Sequence, residues 1–166
     1  AYDHARALEV TESFFWTFCD DYLELVKERA YAGDASAVTA LWTAIDVLLR
    51  LLAPVLPFAT EEVWRWTYDG SVHAASWPTV LDLGVTEEPR GLLPAVSTAL
   101  VGIRRAKTDA KASQKTPMLS ATLAGPAILA EALDDLRAVG RIERLDLVAG
   151  DEVLVSDVVL AELPEA

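Results

Sequence analysis

The residues best suited to chemistry in this chain are cations crowded into positions 104 to 115. They are Arg104, Arg105, Lys107, Lys111 and Lys115, with a single acid, Asp109, among them. Positions 104, 107 and 111 are three and four residues apart, a spacing that places side chains on one face of a helix. Such a row can contact a structured phosphate backbone, and it can equally be an ordinary solvated face. The spacing alone leaves both interpretations open.

The charge of the rest of the chain limits what this row can bind. The chain carries a formal net charge of −12, and because the 104–115 span carries +4, the other residues carry −16. An acidic surface of that size argues against indiscriminate nucleic-acid binding. A local basic stripe remains compatible with one structured site.

The other reactive side chains do not form a recognisable site. Cys19 is the only cysteine and lies among aromatic residues, so we interpret it as a small buried apolar residue and not as a nucleophile. His4 and His73 are too far apart for a zinc-binding spacing. The acid pairs Asp20–Asp21 and Glu61–Glu62 are explained by a solvated face and by charge at a helix start, so no acid–base role follows.

Composition predicts a folded, cytoplasmic chain. Of its 166 residues, 52% are hydrophobic and 24% charged, which argues against disorder. No uninterrupted apolar run approaches the ~20 residues that a bilayer requires, and the first residues do not resemble a signal segment, so no membrane partner is expected. The absence of an initiator methionine and a helical pattern already present at Ala5 suggest a piece of a longer protein.

Apolar residues at helical spacing predict the elements that position the cations. A first helix over residues 3–30 carries an aromatic core stripe, Gly33 and Asp34 end it and cap a second helix, and a later helix runs over residues 92–112. The predicted core stripe of the first helix consists of Leu8, Phe15, Cys19, Tyr22 and Val26. The predicted core face of the later helix consists of Val96, Leu100, Ile103, Ala106 and Ala110.

The corner from Leu51 to Trp64 separates the second helix from the third. Pro54 and Pro57 cannot continue a helix, so the second helix is expected to end there. Thr60 is predicted to cap the third helix, with Glu61 and Glu62 in its first turn.

The last fifty residues change character. Alternating apolar residues predict strands over 117–123, 145–148 and 153–163. A short helix is predicted over 126–139, and Gly150–Asp151 is predicted to link the last two strands. The predicted fold is therefore mainly α, a helical bundle followed by a small β-α-β-β α+β appendage. The predicted domains are 1–115 and 116–166.

Two segments carry a family resemblance. Phe15–Arg29 resembles the first helix of the anticodon-binding domain of class I valyl-tRNA synthetases, and Leu52–Trp64 is similar to the helix junction shared by the valyl, isoleucyl and leucyl enzymes. Ser71-Val-His73, Trp77-Pro78 and Ile103-Arg104-Arg105-Ala-Lys107 resemble the next landmarks in the same order. The pattern Phe-Cys-Asp-x-Tyr-x-Glu-x-x-Lys favours the valyl family over the other two.

The resemblance implies the part of a valine–tRNA ligase that binds the anticodon arm of tRNA(Val). Its other partners would be the catalytic and editing domains of the same chain, with no DNA partner. No cofactor is expected in this part, whereas ATP with Mg is implied for the parent enzyme. Neither His-x-Gly-His nor Lys-Met-Ser-Lys-Ser occurs, and Lys111-Ala-Ser-Gln-Lys115 echoes the second motif without following a nucleotide-binding fold.

The tRNA-binding residues expected from this resemblance are Arg104, Arg105, Lys107, Lys111 and Lys115. His73 and Trp77 are weaker candidates for stacking on or shaping the anticodon loop, the alternative being that Trp77 is wedged against the bundle beside Pro78. Two other functions stay open: the same domain of an isoleucyl or leucyl enzyme, and a free-standing helical adaptor that binds a protein.

Overall fold

The computed structural model describes residues 3–84 and 91–161. In order along the chain, these residues form α1 (His4–Thr17), α2 (Leu23–Tyr31), α3 (Ala35–Leu52), α4 (Pro57–Trp64), α5 (Leu92–Asp109), β1 (Met118–Gly125), α6 (Leu133–Gly140), β2 (Ile142–Ala149) and β3 (Leu154–Leu160). The predicted fold class, mainly α with a β-α-β-β appendage, is confirmed. The end of the last predicted strand, at residues 162 and 163, lies outside the described residues.

The chain divides into two compact units. The first comprises residues 1–23 and 32–88, and the second comprises residues 24–31 and 89–166. This division places α5 with the strands, whereas the predicted domain boundary lies after α5, between residues 115 and 116. The division does not test whether residues 1–115 and 116–166 fold independently, so the predicted boundary stays a prediction.

Side-chain caps begin two helices of the first unit. The Asp3 carboxylate accepts a hydrogen bond from the amide of Arg6 at 2.9 Å, and that of Asp34 accepts one from Ala37 at 2.8 Å. Each carboxylate thereby satisfies one of the amides that a helix start leaves without a partner. The Asp34 cap predicted from the sequence is confirmed.

The aromatic stripe of α1 is only half-buried. Phe15, Cys19 and Tyr22 are of intermediate exposure, and no residue of α1 is buried. A π-helical turn, Phe18–Tyr22, follows α1, and within it the rings of Phe18 and Tyr22 stack with centroids 5.5 Å apart. Burial, and then the charge of Asp20, raise the pKa of the Cys19 thiol, which agrees with an unreactive side chain.

The α3–α4 corner differs from the prediction in where α4 begins. Pro57 occupies the first turn of α4, because a proline at that position has a suitable φ and no amide to leave unpaired. Thr60 therefore lies inside the helix, where its buried hydroxyl donates to the Leu56 carbonyl at 2.8 Å. The predictions that Thr60 caps α4 and that Glu61 and Glu62 lie in its first turn are wrong.

Glu61 instead ties α4 to the segment that follows it. Its carboxylate accepts hydrogen bonds from Ser71 Oγ at 2.8 Å, from the Val72 amide at 3.0 Å and from Arg65 Nε at 2.9 Å. Val72 is buried with Leu49, Ala53 and Trp64 in the core of the first unit. The carboxylate thus fixes one side of that core.

We expect Glu61→Gln to reduce the loss of stability that the first unit shows as the pH is lowered. The hydrogen bond from Ser71, followed by those from Val72 and Arg65, lowers the pKa of Glu61. A lowered pKa gives stability that is complete above the ordinary Glu value of about 4.3 and is lost as the pH falls through the lower folded value. The variant should be less stable than the parent at pH 7, and the difference should shrink below about pH 5.

Urea unfolding followed by tryptophan fluorescence measures this, since all five tryptophans lie in the first unit. The neighbouring, exposed Glu62 provides the control variant Glu62→Gln. If parent and Glu61→Gln lose stability in parallel as the pH falls, the role assigned to this carboxylate is incorrect.

Helix α3 is the one helix of the described residues with the length and hydropathy of a membrane span, with a mean hydropathy of 1.6 over 18 residues. It nevertheless carries an ion pair between Arg50 and Asp46, and it packs against α1 and α4. The buried residues of α3 are Ala37, Leu48 and Leu49, and the rest of the helix is half-buried or exposed.

The second unit is a three-stranded sheet with helices packed on it. The strand order is β2-β1-β3, with β1 parallel to β2 and antiparallel to β3. Helix α6 makes the crossover that a parallel pair requires. Although β2 and β3 are consecutive, they lie on opposite edges and do not pair with each other. The fully buried large side chains are Leu100, Ile103, Lys107, Met118, Leu123, Leu129 and Leu136, and all of them belong to this unit.

Candidate nucleic-acid interface

The buried face of α5 ends in a lysine. Ile103 is followed four residues later by Lys107, which is only 1% exposed. The prediction that Lys107 projects from the outer face with Arg104 is therefore wrong. Positions 100, 103 and 107 follow the same apolar spacing, so the periodicity itself indicates the inner face, and charge was the misleading signal. Ala110, predicted on the core face, is exposed.

The ammonium of Lys107 joins three parts of the second unit. Nζ donates to the carbonyl of Gln114 at 2.9 Å and to that of Gly140 at 2.8 Å. Gly140 is the last residue of α6, and its carbonyl has no partner within a helix. Burial, and then the positive charge of Arg141, lower the pKa of Lys107. Lys107 thus holds the end of α5, the segment after it and the end of α6 together.

The segment after α5 folds back on the last turns of the helix. Lys111 has φ of 53°, and its amide donates to the Thr108 carbonyl at 2.9 Å. Gln114 Nε2 donates to the carbonyl of Arg104 at 3.1 Å and to Thr108 Oγ1 at 3.2 Å. This packing leaves Lys111 and Lys115 exposed.

Arg141 contacts Lys115 at the surface. It is exposed, and its Nη1 donates to the Lys115 carbonyl at 3.3 Å although 26 residues separate them. We call Lys111, Lys115 and Arg141 the basic surface. Within residues 3–84 and 91–161, none of the three forms an ion pair. Arg141 was not predicted from the sequence, because its only local signal is its position after Gly140, at the end of a predicted helix.

The two arginines of α5 differ in their surroundings. Arg104 is half-buried beside the inner face. Arg105 is exposed on the other side and lies 3.6 Å from Asp109, an exposed pair of small energetic value. Both belong to the helix turns that precede the basic surface.

The two other predicted residues lie in the first unit. His73 is exposed, with Nε2 3.2 Å from the carbonyl oxygen of Pro57. Trp77 is 59% exposed, which does not agree with a ring wedged against the bundle. Phe58 follows Pro57 in the sequence and is 90% exposed. A second solvent-exposed aromatic ring therefore lies next to the residue that His73 contacts.

Among residues 3–84 and 91–161, no group of three or more His, Cys, Asp or Glu side chains is placed to hold a metal ion. Lys111 to Lys115 is a turn wound against a helix end, with one carbonyl bound by Lys107 and another by Arg141. No reaction step is assigned to this chain.

An exposed basic surface on a mainly helical chain is typical of a nucleic-acid-binding domain. The chain belongs to the family described as the anticodon-binding domain of tRNA ligases, whose family model matches residues 1–123. This confirms the resemblance inferred from Phe15–Arg29 and Leu52–Trp64.

Three curated relatives make the resemblance more specific. The valine–tRNA ligase of Leifsonia xyli subsp. xyli is 58% identical over 174 residues, covering 99% of this chain and 20% of that protein. Those of Cutibacterium acnes and Tropheryma whipplei strain Twist are 48% and 44% identical, covering 98% and 93% of this chain and 20% and 18% of the relatives. The chain therefore spans about one fifth of the length of these relatives.

Proposed function

We propose that this chain is the part of a valine–tRNA ligase that binds the anticodon arm of tRNA(Val). The observation that carries the proposal is the basic surface, three exposed cations that form no ion pair within residues 3–84 and 91–161 although the chain has a net charge of −12. The identity to valine–tRNA ligases supports the choice of tRNA. Catalytic and editing domains of the same protein would supply the ATP- and Mg-dependent chemistry.

The chemistry of an anticodon arm suits such a surface. Lysine and arginine side chains hold the phosphates of the stem and loop, and these contacts set the register without reading sequence. The unpaired bases of the loop can be unstacked and read on their edges, or stacked on aromatic rings. We assign phosphate contacts to Arg104, Arg105, Lys111 and Lys115, and base stacking or loop shaping to His73 and Trp77.

Lys107 is removed from this set, because its ammonium is enclosed by two carbonyls. Its role is to hold Lys111 and Lys115 in place. We also infer that the protein acts in the cytoplasm, where translation takes place, and that residues 1–115 form the tRNA-binding domain.

The alternatives are less well supported. An isoleucyl or leucyl enzyme shares the proline junction but not the first-helix pattern, and the relatives above are valine–tRNA ligases. A free-standing protein adaptor has no support from the family match.

Aminoacylation by the full-length protein that contains this chain tests the proposal. With ATP, Mg and valine, we expect kcat/KM for tRNA(Val) to exceed that for tRNA(Ile) by about a hundredfold or more, because correct docking of the anticodon arm places the acceptor end. Charging of tRNA(Ile) with isoleucine in preference would contradict the proposal. Transcripts of tRNA(Val) with a substituted anticodon are the matched control, and they should lose efficiency.

A further inference from the structure

Backbone conformation singles out two residues of the basic surface. Among the described residues, three that are not glycine have positive φ: Lys111 at 53°, Arg141 at 51° and Asp157 at 49°. Lys111 follows the end of α5 and Arg141 follows the end of α6. Glycine is the usual residue where a helix ends in this left-handed conformation, since any Cβ is strained there. Helices α5 and α6, whose ends are joined by Lys107, are thus each followed by a cation whose backbone is strained.

Arg141 is held in an unfavourable electrostatic position as well. Its charge lies close enough to Lys107 to act against protonation of that side chain. Two hydrogen bonds hold its backbone: the Arg141 carbonyl accepts from the Met118 amide at 2.9 Å, and the Arg141 amide donates to the Ala138 carbonyl at 3.1 Å. A cation with a strained backbone, held next to exposed Lys115, is the arrangement expected of an anion site.

We infer that Arg141 contacts a phosphodiester of the tRNA backbone, as a further binding residue of the basic surface. This inference rests on the proposed function and adds a residue from outside the basic span. A guanidinium matches phosphate geometry with paired N–H donors. Among the described residues, the hydrogen bond to the Lys115 carbonyl engages only Nη1 of Arg141. The bound phosphate would offset the repulsion between Arg141 and Lys107.

The variant Arg141→Gly separates binding from helix-end structure. It relieves the positive φ and removes the cation, so we expect the melting temperature to be unchanged or higher. In a titration of the full-length protein, we expect Kd for tRNA(Val) to rise about three- to tenfold. The slope of log K against log salt concentration should become shallower by about one. Arg141→Lys should keep the slope and most of the affinity, because it retains the charge.

Asp157→Gly is the matched control. Asp157 has the same backbone conformation in the same unit, so this variant relieves equivalent strain without removing a cation. Its melting temperature should likewise not fall, and its Kd should stay within about twofold of the parent value.

The outcomes distinguish this inference from the proposed function. If Lys111→Glu with Lys115→Glu weakens binding but Arg141→Gly leaves both affinity and slope unchanged, Arg141 does not contact tRNA. A lower melting temperature with unchanged affinity would assign Arg141 a helix-end role and overturn the inference. If none of these variants alters binding while tRNA(Val) is still charged, the basic surface itself is misassigned.

Discussion

Lys107→Ala is expected to destabilise the second unit by about 3 kcal/mol. Truncation leaves the carbonyls of Gln114 and Gly140 without their donor, each worth about 1–3 kcal/mol when buried, and opens a cavity where the lysine stem packed. Removal of a buried charge offsets part of this cost. Urea unfolding followed by far-UV circular dichroism measures the change.

Two control variants separate the contributions of the side chain. Lys107→Met keeps most of the volume and loses the hydrogen bonds, so it should cost about 1–2 kcal/mol. Arg105→Ala removes an exposed cation from the same helix and should stay within about 0.5 kcal/mol of the parent. A Lys107→Ala variant as stable as Arg105→Ala would show that the two carbonyl contacts do not stabilise the fold.

The pH dependence of the same variants gives an independent check. Because the folded protein lowers the pKa of Lys107, the unfolded chain binds more protons between that pKa and the ordinary value of about 10.4. The contribution of Lys107 to stability therefore rises with pH through this window. The difference in unfolding free energy between the parent and Lys107→Met should increase accordingly.

Charge reversal at Lys111 and Lys115 is expected to weaken tRNA binding about tenfold or more. Both side chains are exposed, so the double variant Lys111→Glu with Lys115→Glu should fold normally. The slope of log K against log salt should fall by about two, since each phosphate contact contributes ~0.7–0.9. A binding titration of the full-length protein with tRNA(Val) over a series of salt concentrations measures both quantities.

The matched control reverses the charge of two exposed arginines that lie outside the basic surface. Arg6→Glu with Arg144→Glu changes the net charge equally, and each of these side chains is already ion-paired, with Glu9 and Asp146. If the two double variants weaken binding to the same extent, the effect comes from net charge alone and the basic surface is not the site.

Local patterns in the sequence were sufficient for most of the fold. Helices α1, α3 and α5 follow from apolar spacing, and Asp34 identifies the start of α3, because these signals act within a few residues. The start of α4 was misplaced, because a proline in the first turn and a capping threonine are both typical of a helix start, and only packing showed Thr60 to be inside. The strand order was not predictable either, since β2 and β3 are consecutive but lie on opposite edges.

By itself the sequence determined the succession of elements, the acidic surface with one basic span, and the family to which the chain belongs. These depend on local spacing and on residue identity along the chain. Only the tertiary structure decided which cations are available: it buries Lys107 under two carbonyls and brings Arg141 to Lys115 from 26 residues away. The physical reason is that exposure and proximity depend on how α5, α6 and β1 pack together, and no pattern within a single element records that packing.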